Sequence, residues 1–240
     1  MNDNHIGMIE PLADDLLKRV ASTFGKKQLD AGYTLEDVYT FCEADYTGAY
    51  YKFRLEHKDS AHYAKVIKHF RLTVEGEAET DKWLITESNL TFELSKPNTL
   101  ANGDALYNLP KVSLDTNSTI WIVEGEKKVK YLGLRGILAT TTGNATGLKQ
   151  FDWQPLAGRD IVLWPDHDSS GLKWRAELIL ILQALNCTIN LVDVAALNLA
   201  VKGDCIDWLK QFKTDNNRIA TIEDLQALPM LNEIDRKSVV

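Results

Sequence analysis

The chain has 240 residues, 45% of them hydrophobic and 25% charged, with a formal net charge of -7. That length can bury one large core or two smaller ones. The negative balance excludes an indiscriminately basic nucleic-acid coat, while leaving room for a local basic groove that tracks a phosphate backbone. No apolar run reaches the roughly 20 residues needed to span a bilayer. The opening residues, Met1 to His5, lack the basic and apolar regions of a signal peptide. Cys42, Cys187 and Cys205 are odd in number and far apart, which argues for neither a disulfide framework nor a zinc ribbon. A cytoplasmic protein with reduced, buried thiols is expected.

Residues 11–27 read as an amphipathic helix: Leu12, Leu16, Leu17, Val20 and Phe24 share a face. Asp14 and Asp15 lie in its first turn, and Lys26 and Lys27 close it around Gly25. A short second helix is expected from Thr34, with Glu36 and Asp37 in its first turn. Residues 50–74 are rich in strand formers and locally basic. From Ala64, alternation puts Val66, Phe70, Leu72 and Val74 on one face and Lys65, His69 and Arg71 on the other, with Lys68 breaking the pattern on the apolar side. Lys65 and Arg71 are candidate phosphate contacts, although a solvated strand face explains the same pattern. His57, His62 and His69 have no metal-ligand spacing. Residues 98–118, rich in Asn, Asp, Ser and Gly and containing Pro110, read as connecting structure. A domain boundary is placed at 115/116.

Beyond it, strands alternate with helices: strand 119–123, helix 127–134, strand 137–142, an irregular segment carrying Phe151, Trp153 and Leu156, strand 160–164, helix 172–185, and strand 188–194. A helix from Cys205 follows, and a last one with its acidic first turn at Thr221. This order predicts an α/β parallel sheet flanked by helices, preceded by a smaller α+β subdomain. Residues 1–115 form the first part, 116–215 the second, and 216–240 a helical tail.

Two apolar strands each end in acids: Ile122-Val123 at Glu124-Gly125-Glu126, and Leu163-Trp164 at Pro165-Asp166-His167-Asp168. Ligands of parallel sheets collect outside the carboxyl ends of the strands. Glu124, Asp166 and Asp168 are therefore expected on one edge, as catalytic residues and as ligands of Mg²⁺ or Mn²⁺. Gly125 and Gly171 would allow close approach of backbone or phosphate. Asn144, within 143–147, lies in a candidate phosphate-contacting loop. Lys127 and Lys128 are further candidates for nucleotide binding, with a solvated helix face as the plainer reading. The tetrapeptide Val-Glu-Gly-Glu also occurs at 74–77, where it follows a basic amphipathic strand and has no helix behind it.

These residues resemble the Toprim domain shared by bacterial-type primases, topoisomerases and several nucleases. The resemblance covers residues 119–212, through Ile122 to Glu126, Thr140 to Ala145, and Leu163 to Asp168 with Gly171. Leu106 to Pro110 and Lys202 to Leu209 are similar to the flanks of primases from phages and other mobile elements. The resemblance implies a DNA primase: a cytoplasmic nucleotidyltransferase of DNA replication that joins nucleoside triphosphates on a single-stranded DNA template with Mg²⁺ or Mn²⁺. It makes Glu124 an acid/base or metal residue, Asp166 and Asp168 metal ligands, and Asp204 and Asp207 outer or second-metal ligands. It also implies a replicative helicase as a further partner and no membrane. Many primases carry an Asp four residues after the motif Glu, where this chain has Lys128. A Toprim nuclease, or a DNA-binding module without catalysis, would share the same residues.

Overall fold

A computed structural model describes residues 12–46, 49–58, 64–73, 84–94, 103–143 and 146–231. The chain divides into two compact units, Met1–Ala101 and Asn102–Val240.

In the first unit, α1 (Asp14–Phe24) buries Leu16, Leu17, Val20, Ala21 and Phe24, which recur at helical spacing along one face. The Gly25 N–H bonds the Ala21 carbonyl at 2.8 Å. The chain does not stop at Lys27 as expected but resumes as α2 (Lys26–Asp30). Five strands follow: β1 (Thr34–Phe41), β2 (Tyr50–His57), β3 (Ala64–Leu72), β4 (Leu84–Glu87) and β5 (Leu90–Leu94). They form an antiparallel sheet in the order β1-β2-β3-β5-β4. Phe53, Leu55, Phe70 and Phe92 are fully buried in one cluster with the apolar face of α1.

The helix expected at Thr34 is β1 instead. Val38, Tyr39, Thr40 and Phe41 are strand formers, and the acids that suggested a helix start lie at a register shift between Leu35 and Asp37. Lys68, the residue out of pattern in β3, points its ammonium at the Phe24 carbonyl (3.3 Å) and Gln28 Oε1 (3.1 Å). It thereby satisfies the last carbonyl of α1 and a side-chain acceptor of α2 from the apolar side of the sheet. Val74 and residues 75–81 lie outside the described residues, as do His62 and the tetrapeptide at 74–77.

The second unit begins ahead of the expected boundary. Residues 98–118 contain α3 (Leu109–Leu114), with Pro110 in its first turn, where the missing N–H costs nothing. Leu106 and Val112 belong to the core beneath the parallel sheet, and Leu109 is also buried. Arg159 fastens the segment by donating to the carbonyls of Asp115 (2.6 Å) and Ser118 (2.9 Å). The site proposed for a boundary is thus held inside the unit.

Then come β6 (Ile120–Val123), α4 (Glu126–Gly133), β7 (Ala139–Thr140), β8 (Asp160–Trp164), α5 (Ser169–Ala184), β9 (Thr188–Leu191), α6 (Cys205–Asn216) and α7 (Ile222–Gln226). The sheet is parallel throughout, in the order β7-β6-β8-β9. Both faces are covered, as alternation along the strands dictates. Ile120, Ile122, Ile161 and Leu163 pack with Trp174, Leu178 and Leu182 of α5. Trp121, Val123, Val162 and Trp164 pack with Val129 and Leu132 of α4 and Ile206 and Leu209 of α6. The strand expected over 137–142 is shorter, and Thr141 turns away to bridge Tyr107.

The expected helical tail is part of this core. Leu225 and Leu228 are buried in it, and Met230 bridges Val192 beyond β9. Among the described residues, no helix is long and apolar enough to cross a membrane.

Candidate active site at the strand ends

β6 and β8 are adjacent, so the loops that leave their carboxyl ends are neighbours. Gly125 adopts φ 112°, ψ 147°, a conformation open to glycine and costly for other residues. Its N–H donates to Thr141 Oγ1 at 3.0 Å, and the same oxygen accepts from the Gly143 N–H at 3.0 Å. Thr141, fully buried, therefore ties the turn after Glu124 to the loop after β7. The sequence marked this residue only within the stretch Thr140 to Ala145, and its positioning role follows from the pairing of the two loops.

Glu124 reaches across to β8, where its Oε1 accepts the Asp166 N–H at 3.0 Å. Burial raises the Glu124 pKa, and the neighbouring charges of Asp166 and Asp168 push the same way. Asp168 caps α5, accepting the Gly171 N–H at 2.9 Å. A Cβ on Gly171 would lie 2.2 Å from the Asp166 carbonyl oxygen, so this helix start closes on the Asp166 loop only with glycine.

Lys128, in the first turn of α4, does not lie on a solvated face. Its side chain is 9% exposed, and its ammonium pairs with Asp166 and, at 3.3 Å, with Asp204 Oδ2. Burial works against its charge, but Asp166 and Asp204 outweigh that and raise its pKa. Burial likewise raises the Asp166 pKa, partly offset by Lys128. Asp204 also caps α6, accepting from Ile206 N (2.8 Å) and Asp207 N (3.1 Å). Asp207 returns a bond to the Asp204 N–H and pairs with Lys210 at 3.1 Å.

The fold thus gathers Glu124, Asp166, Asp168, Lys128 and Asp204, whereas Asp207 serves the cap of α6. Lys127 is exposed on α4. Asn144 lies outside the described residues. Lys65, exposed, and Arg71 belong to the first unit, and Arg71 pairs with the fully buried Glu93 at 3.2 Å.

Among the described residues, no three acids, histidines or cysteines are grouped to hold a metal ion. Mg²⁺ seldom needs such a cage: one or two carboxylates suffice, the rest of the shell coming from phosphates and water. The all-oxygen donors of Asp166 and Asp168, beside Glu124, fit one such ion. The Lys128 ammonium pairs with Asp166 and Asp204, so a first ion would share Asp166 with Lys128, and a second ion between the two carboxylates would have to displace it.

No family model matches the chain, and no curated protein does. Solved structures that match include the crystal structure of the Aquifex aeolicus primase, comprising its zinc binding and RNA polymerase domains. It is 18% identical, with a TM-score of 0.45, over 78% of this chain and 42% of that one. The chain spans less than half the length of that structure.

Proposed function

We propose that the chain is a Toprim-type, primase-like nucleotidyltransferase core that synthesises short primers on single-stranded DNA. The observation that carries this reading is the approach of Glu124 from β6 to the Asp166–Asp168 loop of β8, through the bond from the Asp166 N–H to Glu124 Oε1. A 3′-hydroxyl would attack the α-phosphate of a nucleoside triphosphate and release pyrophosphate. A Mg²⁺ or Mn²⁺ ion at Asp166 and Asp168 would supply Lewis-acid stabilisation of the phosphate oxygens. The rest falls to the chain's own residues. Glu124, with its raised pKa, suits a group that takes the proton of the attacking hydroxyl. Lys128 holds a fixed positive charge beside Asp166, where phosphate charge would develop.

A second reading, a DNA-binding Toprim module without catalysis, is favoured by one observation: Lys128 already neutralises Asp166 and Asp204.

The test is incubation with single-stranded DNA, labelled nucleoside triphosphates and Mg²⁺ or Mn²⁺, resolved on a denaturing gel beside Asp166→Asn/Asp168→Asn. Asn at position 168 can still cap α5, so the double variant should stay folded. New short products that vanish in the variant are expected. Products undiminished in the variant would refute the assignment of the site. A shortened template would indicate a nuclease, and retained DNA binding with neither product would indicate the binding module.

A further inference from the structure

α5 carries a second charged group that the acidic edge does not use. Arg175, one turn beyond Gly171, is 6% exposed, and its Nε is buried without a hydrogen-bond partner. No ion pair reaches it among the described residues. Burial pulls its pKa below the ordinary arginine value, and no acid among the described residues offsets the effect. Arg175 lines a cleft of about 440 Å³ that opens where the chain leaves β8 and β9. Leu172, Val194, Val201 and Leu231 form an aliphatic part of the wall, and His167, Ser169 and the carboxylates of Asp166, Asp168 and Asp193 the polar part.

A desolvated guanidinium without a counter-charge is unfavourable in the free protein. Its planar fork of donors matches an oxyanion, and above all phosphate or carboxylate. The carboxylates that share the cleft are engaged elsewhere. Asp166 pairs with Lys128, Asp168 caps α5, and Asp193 accepts from Ala195 N and Ala196 N. The cleft is larger than a phosphate needs and falls in the range of small-molecule sites. Its aliphatic wall suits the flat face of a ring.

We infer that this cleft binds a nucleotide, with a phosphate on Arg175 and the base against Leu172, Val194, Val201 and Leu231. The choice of nucleotide among ring-bearing anions rests on the proposed function. The same phosphate chemistry is presented by a free nucleoside triphosphate and by the 5′-phosphorylated end of a DNA strand.

The experiment is isothermal calorimetry on the full chain in EDTA, so that no divalent ion contributes. The titrants are ATP, GTP, inorganic phosphate, and a short DNA oligonucleotide with a 5′-phosphate or a 5′-hydroxyl. The variants are Arg175→Met, which keeps the apolar stem, and Arg175→Lys, which keeps the charge without the fork. Saturable binding of a nucleotide or of the 5′-phosphorylated strand is expected. It should weaken about tenfold or more in Arg175→Met and less in Arg175→Lys, with the Tm of Arg175→Met no lower than that of the parent.

Preference for the triphosphate would identify the free nucleotide, and preference for 5′-phosphate over 5′-hydroxyl the strand end. Absence of saturable binding, equal affinity for inorganic phosphate, or unchanged affinity in Arg175→Met would overturn the inference. So would a Tm several degrees lower in Arg175→Met with binding intact, since that would assign Arg175 a structural role. Primer synthesis is read separately. If the parent makes primers but binds nucleotide independently of Arg175, only this inference fails; if it binds through Arg175 but makes none, only the catalytic reading fails.

Discussion

At the scale of single residues, the strand-end site holds a carboxylate at a cost in stability. Glu124 is a half-buried carboxylate whose pKa is raised first by burial, so its charge is a cost in the folded protein at neutral pH. Glu124→Gln keeps an acceptor for the Asp166 N–H and removes that cost. The variant should therefore melt at the same temperature as the parent or higher, while losing nucleotidyl transfer. A Tm drop of several degrees in a calorimetric scan would show that the carboxylate is structural. Gly171 presents the opposite balance. Placing Ala in the first turn of α5 would gain at most about 1 kcal/mol from helix propensity. Its Cβ would meet the Asp166 carbonyl oxygen at 2.2 Å, and such overpacking costs about 3 kcal/mol. The steric term wins, so Gly171→Ala should lower stability by about 2 kcal/mol in urea titrations and displace the Asp166 loop.

At the scale of elements, β6 and β8 were legible because both faces of a parallel strand are buried and both therefore read as apolar. Ile120-Trp121-Ile122-Val123 shows this directly, its residues alternating between the two cores. β1 was not legible, since Glu36 and Asp37 imitate a helix start and the irregularity that accommodates them exists only against β2. α3 was hidden by the Asn, Asp and Gly around it. In the site, Glu124, Asp166 and Asp168 were legible from where their strands end. The pairing of Lys128 with Asp166 and Asp204 was not, because three separate elements create it. β3 also carries a pH response. His69 faces Lys52 of β2 in the sheet register, and burial, then Lys52, lowers its pKa from 6.5 to about 4. The unfolded chain takes up a proton in this interval and the folded chain does not. This contribution to stability is therefore full above pH 6.5 and is lost as the pH falls toward about 4. Urea titrations at pH 7 and pH 5 should show the parent losing more stability on acidification than His69→Gln. Equal losses would mean that His69 titrates normally in the folded chain.

At the scale of the whole molecule, two units with separate cores predict separable folding. The informative choice is where to cut. Composition alone favours residues 115–118, a run of Asp, Thr, Asn and Ser, but the buried residues favour a cut before residue 103. Leu106, Leu109 and Val112 are each no more than 2% exposed, and the Arg159 bonds to the carbonyls of Asp115 and Ser118 hold the segment beside the start of β6. Removing three buried aliphatic side chains, at about 1.5–3 kcal/mol each, costs on the order of 5 kcal/mol or more. A domain of this size has roughly 5–15 kcal/mol in total. A fragment of residues 102–240 should thus show cooperative thermal unfolding and dispersed amide resonances. A fragment of residues 116–240 should be unfolded or loosely packed, with exposed apolar surface that binds a hydrophobic dye. If both fragments unfolded with the same midpoint, α3 would be an appendage, and the second unit would begin at β6.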